Sequence, residues 1–339
     1  MKRMIGLISL ILVTATSITA QQKNFPKPTG PYLGQKPPGM TPEIFAPGII
    51  STGMSESAIA VAPDGKEIFY TVHAGNSETI ITTRFENGCW TTPEVASFSG
   101  KYLDGFPAMH PDGSKLYFHS YRPLDKGSQI ADVVNIWFVE KKGAGWSEPK
   151  PIGPPINGSG FVCCPSVTKT GTLYYSKKTL TGGEKIYRSK YVNRKYMEPE
   201  ELPHQVNSEK AQFHAVISPD ERYLILPREN YLVSFRDEHD QWSDLIDLGD
   251  VVNKMRSGGC PSISSDGKYF FFAAYPQVKW NKYFEKRYSY KDLQEITLRH
   301  PASERTDIFW VDAKIIDEYR PPDFSDDSGG DVIAYCRQP

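Results

Sequence analysis

The sequence predicts an all-β fold, a single β-propeller of five blades with four antiparallel strands each. Two observations lead there: a turn motif that recurs at blade-sized intervals, and an aromatic, β-prone run straight after every turn. A third concerns closure. The last unit lacks its outermost element, and the N-terminus carries a segment that can supply it.

The turns come first. An apolar run ends in Ala62-Pro63-Asp64-Gly65, His110-Pro111-Asp112-Gly113, Lys169-Thr170-Gly171, Ser218-Pro219-Asp220-Glu221 and Ser265-Asp266-Gly267. Successive copies lie about 48, 58, 50 and 46 residues apart, the spacing of propeller blades. Asp-Gly supplies the left-handed backbone angles of a tight turn between antiparallel strands. The third and fourth copies, with Thr170 for Asp and Glu221 for Gly, are expected to be weaker hairpins.

The strands follow from the turns. Ile68-Phe69-Tyr70, Leu116-Tyr117-Phe118, Leu173-Tyr174-Tyr175, Leu224-Ile225-Leu226 and Phe270-Phe271-Phe272 are apolar on successive residues, which suits strands buried on both faces. A third strand is expected over 80–85, 135–139, 185–189, 231–235 and 307–311. A fourth element reads Trp90-Thr91-Thr92-Pro93, Trp146-Ser147-Glu148-Pro149, Tyr196-Met197-Glu198-Pro199 and Trp242-Ser243-Asp244-Leu245. Proline cannot donate to a ladder, so this element belongs at a blade's outer edge. The fifth unit lacks it, and Pro42-Glu43-Ile44-Phe45 resembles Pro93-Glu94-Val95. An N-terminal strand therefore completes the last blade. A sixth blade would need residues 331–336, which carry no turn signal of their own, to join other strands.

The Ser-Pro-Asp-Gly-like turns, the aromatic strands after them and the ending Asp307-Ile308-Phe309-Trp310-Val311-Asp312 resemble the TolB-type, WD40-like propeller repeat of exported bacterial proteins. The resemblance covers roughly residues 42–319. It implies the fold strongly and function weakly, because propellers host both binding scaffolds and enzymes.

The ends read differently. Lys2 and Arg3, the apolar residues 4–13 and small residues up to Ala20 have the order of a secretory signal, so residues 1–20 are expected to be removed on export to the periplasm or beyond. The apolar run is too short to span a bilayer, which takes about 20 residues. Residues 21–40 read as an extended leader, 41–322 as the propeller, and 323–339 as an acidic, flexible tail. A net charge of −1 with scattered Lys and Arg argues against nucleic acid as a partner. Five cysteines make an odd, sparse set with no CxxC metal pattern. No cofactor is required by the sequence.

Candidate chemistry gathers where the inner strands begin, at one mouth of the central channel. The residue eight before each turn aspartate is Glu56, Asp104, Val162, Gln212 or Gly258; six before it stand Ala58, Phe106, Cys164, His214 and Cys260. Glu56 and Asp104, from neighbouring blades, have the residue types of a glycosidase acid/base pair, which needs two carboxyls roughly 5–10 Å apart. Such acids also serve to cap strands. Cys164, His214 and Cys260 offer soft donors for a metal such as zinc, or simply act as buried filler. Arg122, Lys177, Lys178 and Arg228 follow the second strands, with His73 and His119 nearby. Arginine there suits a carboxylated or sulfated sugar or a peptide carboxylate. Residues 280–296, an insertion in the fifth unit, alternate aromatic residues such as Trp280 with lysines, a composition fit for a sugar ring or an anionic partner. Together these predict a non-catalytic propeller that binds a protein or glycan at its mouth. The competing reading is a hydrolase or lyase of anionic saccharides using Glu56 and Asp104, with arginines holding the sugar; the expected ligand contacts are Arg122, Gln212, His214, Arg228 and Trp280.

Overall fold

The structure, a computed structural model, describes residues 26–124, 133–158, 160–179, 183–208, 214–275, 289 and 305–324. The chain forms five antiparallel blades, each beginning with its inner strand. Blade 1 runs Glu56–Val61, Glu67–Ala74, Ser77–Glu86 and Glu94–Val95. Blade 2 runs Asp104–Met109, Lys115–Ser120, Asn135–Lys142 and Lys150–Pro151. Blade 3 comprises Val162–Val167, Leu173–Lys178, Glu184–Ser189 and Glu200–Glu201. Blade 4 comprises Val216–Ile217, Tyr223–Pro227, Tyr231–Phe235 and Ile246–Asp247. Blade 5 has Ser262–Ile263, Tyr269–Ala274 and Asp307–Asp312, and its outer strand is Glu43–Ile44 from the N-terminus, pairing Glu43 with Trp310 and Ile44 with Phe309. The ring is thus closed by the first strand of the fold.

The turns form as their residues dictate. Gly65, Gly113, Gly171 and Gly267 all take positive φ, and each turn closes with a backbone bond such as Gly113 N–H to His110 O at 2.8 Å. Glu221 holds the same left-handed conformation at φ 66°, where a side chain is strained. Its carboxylate accepts a hydrogen bond from the Tyr174 hydroxyl of blade 3 at 2.7 Å, so the departure from glycine is tied to a contact between blades.

The outer strands differ in detail from the sequence expectation. The aromatic-x-x-Pro element is not itself the edge strand. Its aromatic residue ends the hairpin that prolongs the third strand, as in Cys89–Trp90 and Gly145–Trp146, and the edge strand is the two residues beyond the proline. The aromatic is needed for packing. Trp146 lies edge-on to Phe69 of blade 1 at 5.6 Å and donates to Glu67 there at 3.0 Å. The Tyr196 hydroxyl bonds Tyr117 of blade 2, and Trp242 packs on Tyr174 of blade 3.

The core is consequently divided among the seams. Separate buried clusters lie between blades 1 and 2, 2 and 3, 3 and 4, 4 and 5, and 5 and 1. The last includes Phe45 and Leu33 with Trp310, so the leader is part of it. Trp90 donates to Gly30 O at 2.8 Å, and Tyr32 packs on Tyr269 and Trp310. No helix among the described residues is long and apolar enough to cross a membrane.

Candidate functional site at the channel mouth

The inner strands of blades 1, 2 and 3 break their ladders at the same place. The register shifts between Ser57 and Ile59, between Gly105 and Ala108, and between Cys163 and Ser166. The residue six before each turn aspartate is left-handed in all five blades: Ala58 (φ 42°), Phe106 (54°), Cys164 (55°), His214 (61°) and Cys260 (56°). A bulge re-aims side chains, and these five residues line the central cavity with the small and apolar residues that follow them.

Phe106 fills the middle of this ring. It packs against the cluster of Ala58, Cys260 and Ala273 and against that of Val134, Cys163 and Cys164. Its ring lies 4.4 Å from that of His214 and 4.7 Å from that of His119. One aromatic side chain from blade 2 therefore touches groups drawn from every side of the mouth.

Around it sits a cluster of ionisable groups. Glu78 starts the third strand of blade 1 and pairs across the hairpin with His73. It lies over Gly105 of blade 2, where a Cβ would come within 2.3 Å of its Oε1, and meets His119 Nε2 at 3.0 Å. Burial works against charge on His119, but Glu78 and the neighbouring Cys163 outweigh it and push its pKa up to about 10. Burial also opposes ionisation of Glu78, and His119 prevails, holding that carboxyl below its ordinary value. The two form an ion pair. His214 is the opposite case: burial, reinforced by charge on His119, pulls its pKa down to about 4, so it is neutral at physiological pH. His73, hydrogen-bonded to Ser57 Oγ at 2.8 Å, is likewise lowered by burial.

The thiols divide in the same way. Cys163 and Cys164 place their sulfurs 3.1 Å apart; the contact with Cys164, ahead of the opposing effect of burial, brings Cys163 down to about 7. Burial raises Cys164 and takes Cys260 up to about 12. Cys260 Sγ sits 3.8 Å from His214 Nδ1. Of the proposed metal set, then, Cys260 and His214 are neighbours. Among the described residues, the three donors that come within 4.8 Å of one another are His119, Cys163 and Cys164.

The carboxylates are placed otherwise. Glu56 is 1% exposed, and its Oε1 accepts from the Thr52 hydroxyl, Thr52 N–H (3.0 Å) and Met54 N–H (3.1 Å), capping the loop before its own strand. Asp104 is fully buried and accepts from Ser120 Oγ at 2.6 Å and Ser99 Oγ at 3.0 Å, with Arg122 Nη1 3.0 Å away. Burial raises both carboxyls. Among the described residues the two share no hydrogen-bond partner. Arg122 lies inside blade 2 among the rings of Tyr102, Phe118 and Trp137, donates to Phe98 O, and burial lowers its pKa.

Arg228 reaches the rim from blade 4. It donates to Ser208 Oγ at 2.7 Å, while its buried Nε has no hydrogen-bond partner among the described residues. Lys177 lies over the ring of Tyr187, and Lys178 ends the same strand at the mouth. Arg256 lies 3.9 Å over the Tyr275 ring. Gln212, Trp280 and the aromatic residues around it, residues 1–20, and the tail beyond residue 324 lie outside the described residues.

Glu78 was missed from sequence because it belongs to a third strand. Only the hairpin register, placing it opposite His73, brings it to the mouth. The Cys163-Cys164 pair was visible, but adjacent strand residues point to opposite faces, and only the bulge turns them together.

No family model matches the chain, and no curated protein matches it. Among solved structures it is similar to TolB from Acinetobacter baumannii, at 19% identity and a TM-score of 0.43 over 65% of this chain and 48% of that one. It is also similar to a putative TolB from Agrobacterium tumefaciens, at 15% identity and 0.45 over 66% and 72% of the two chains. The catalytic domain of the Coprinopsis cinerea GH62 alpha-L-arabinofuranosidase gives 10% identity and 0.47 over 81% and 97%. The chain spans about half the length of the first of these. Similarity of this order says nothing about activity.

Proposed function

We propose that this chain is an exported, non-catalytic propeller that binds an anionic protein or glycan at the mouth of its channel. The observation that carries the reading is the burial of Glu56 and Asp104, each held by donors of its own surroundings, where acid/base catalysis needs two carboxyls open to substrate. The sign of the ligand is inferred from the rim. Lys178, Arg228 and Arg256 stand at the mouth ends of blades 3, 4 and 5, and Arg228 has no carboxylate partner among the described residues. A guanidinium so placed suits a carboxylate or sulfate. Export rests on the charged, then apolar, then small-residue order of residues 1–20.

The test is equilibrium binding of the chain from residue 21 to neutral, uronic and sulfated polysaccharides and to acidic peptides. Binding is expected for anionic members only, weakening with salt. Arg228→Ala is expected to lower affinity about tenfold, in keeping with a charge-assisted bond. Equal binding of neutral and anionic members, unchanged by Arg228→Ala, would count against this reading.

The alternative, a hydrolase or lyase of anionic saccharides, draws support from one observation. Glu56 keeps a buried Oε2 with no hydrogen-bond partner among the described residues, and burial raises its pKa as a general acid requires.

A further inference from the structure

Cys163 and Cys164 are consecutive residues of a strand, yet their sulfurs lie 3.1 Å apart. In a regular strand successive side chains leave opposite faces. The left-handed Cys164 at the bulge turns both thiols to one side, facing His119 of blade 2. One ring nitrogen of His119 and the two sulfurs all lie within 4.8 Å of one another, and all three residues are buried. We propose that His119, Cys163 and Cys164 bind a zinc(II) ion across the seam of blades 2 and 3, leaving a fourth coordination position for an outside ligand. This goes beyond the binding function above and does not depend on it.

Three features favour an ion over an idle cluster. The first is spacing. Donors of one tetrahedral zinc, at about 2.3 Å for sulfur and about 2.0 Å for nitrogen, sit roughly 3.5–3.8 Å from each other. The observed separations need only small side-chain adjustments to meet that. The second is the histidine. Its Nε2 is taken by Glu78 Oε2 at 3.0 Å, and its Nδ1 is buried with no hydrogen-bond partner among the described residues. A carboxylate that fixes one nitrogen and leaves the other for metal is the usual support of a ligating histidine. The missing side chain at Gly105 leaves room for Glu78, since a Cβ there would collide with its carboxyl group. The third is charge. Two thiolates neutralise a divalent ion, so the metal and its sulfurs carry no net charge into a buried position, and Glu78 stays hydrogen-bonded to the imidazole. Zinc takes two sulfurs and one imidazole as ligands in open sites.

The experiment uses the chain from residue 21, reduced and metal-free, with cobalt(II) as the spectroscopic stand-in for zinc. One cobalt per chain is expected, with thiolate-to-cobalt absorption in the near ultraviolet and the intense visible bands of a four-coordinate ion, all displaced by zinc. Cys163→Ser and Cys164→Ser are expected to abolish the thiolate band or halve it, while Cys89→Ser leaves it intact. Glu78→Gln, conservative in shape, is expected to weaken zinc about 10–100-fold without loss of fold by circular dichroism. Zinc should raise the melting temperature of the unaltered chain and not that of Cys163→Ser. Absence of the thiolate band in the reduced chain overturns the proposal. So does a band that keeps its full intensity in both Cys163→Ser and Cys164→Ser, or one that vanishes with Cys260→Ser while keeping its intensity in those two.

Discussion

Glu56 and Asp104 occupy equivalent places in neighbouring blades and show two ways of burying a carboxylate. Asp104 pairs with Arg122 and accepts from two serines, which together oppose the effect of burial on its carboxyl. Removing one partner of a buried pair leaves the other charge uncompensated. Asp104→Ala is therefore expected to cost about 3–5 kcal/mol by denaturant unfolding, and Asp104→Asn, which also leaves Arg122 unpaired, somewhat less because its amide can still meet the serines. Glu56 has no cation in contact among the described residues; its Oε1 caps backbone donors and its Oε2 meets no hydrogen-bond partner among them. Burial raises its folded-state pKa above the unfolded one. Native protein then binds the extra proton, so stability is greatest below the ordinary glutamate value of about 4.3 and falls as pH rises toward the raised value. Glu56→Gln is expected to remove that slope and to be at least as stable as the native chain at pH 7. A steeper slope in the variant would contradict this account. That these residues are equivalent was legible from their distance to the turn. That they look inward to loops and serines was not, because partners such as Ser120 and Thr52 belong to other segments and have no signature of their own.

At the scale of the element, turns and bulges divide what sequence can reveal. Asp-Gly announced three hairpins, and the variants Thr170-Gly171 and Asp220-Glu221 in the same place two more, because a left-handed turn position favours glycine. Gly267 is a clean case: φ is 78° and a Cβ would meet nothing within 4 Å, so the cost of Gly267→Ala is conformational alone. It is expected to be about 1–2 kcal/mol, read as a lowered denaturation midpoint with an unchanged slope. The bulges gave no such notice. Their left-handed residues are Ala, Phe, Cys, His and Cys, types that no turn rule flags, and their strain is tolerated because neighbouring blades hold them from both sides. The outer strands were blurred for another reason. They are two residues long, and the aromatic that seemed to mark them belongs to the hairpin beforehand, where it packs on the previous blade.

For the whole molecule the decisive feature is closure. A propeller blade buries its faces only against neighbours, so an open ring would expose two seams at once. The chain closes with Glu43–Ile44 on blade 5, and Phe45, fully buried against Phe271 and Trp310, drives home the contact. Phe45→Ala is expected to cost about 3–5 kcal/mol and to loosen both blades 1 and 5 in hydrogen exchange. Protection lost from blade 5 alone would argue against a cooperative seam. Closure and blade number were readable because every blade repeats one pattern. The mouth was not, because its cluster draws Glu78, His119, Cys163 and His214 from four blades whose pairing only the ring creates.

The central claim is that the mouth binds without catalysing. The direct measurement is release of reducing or unsaturated ends from neutral, uronic and sulfated polysaccharides, run with the chain from residue 21 beside a Glu56→Gln, Asp104→Asn double variant. Anionic members are expected to be bound and returned uncut, by both proteins alike. Release of product by the native chain, abolished in a folded double variant, would contradict it and place a catalytic pair in blades 1 and 2.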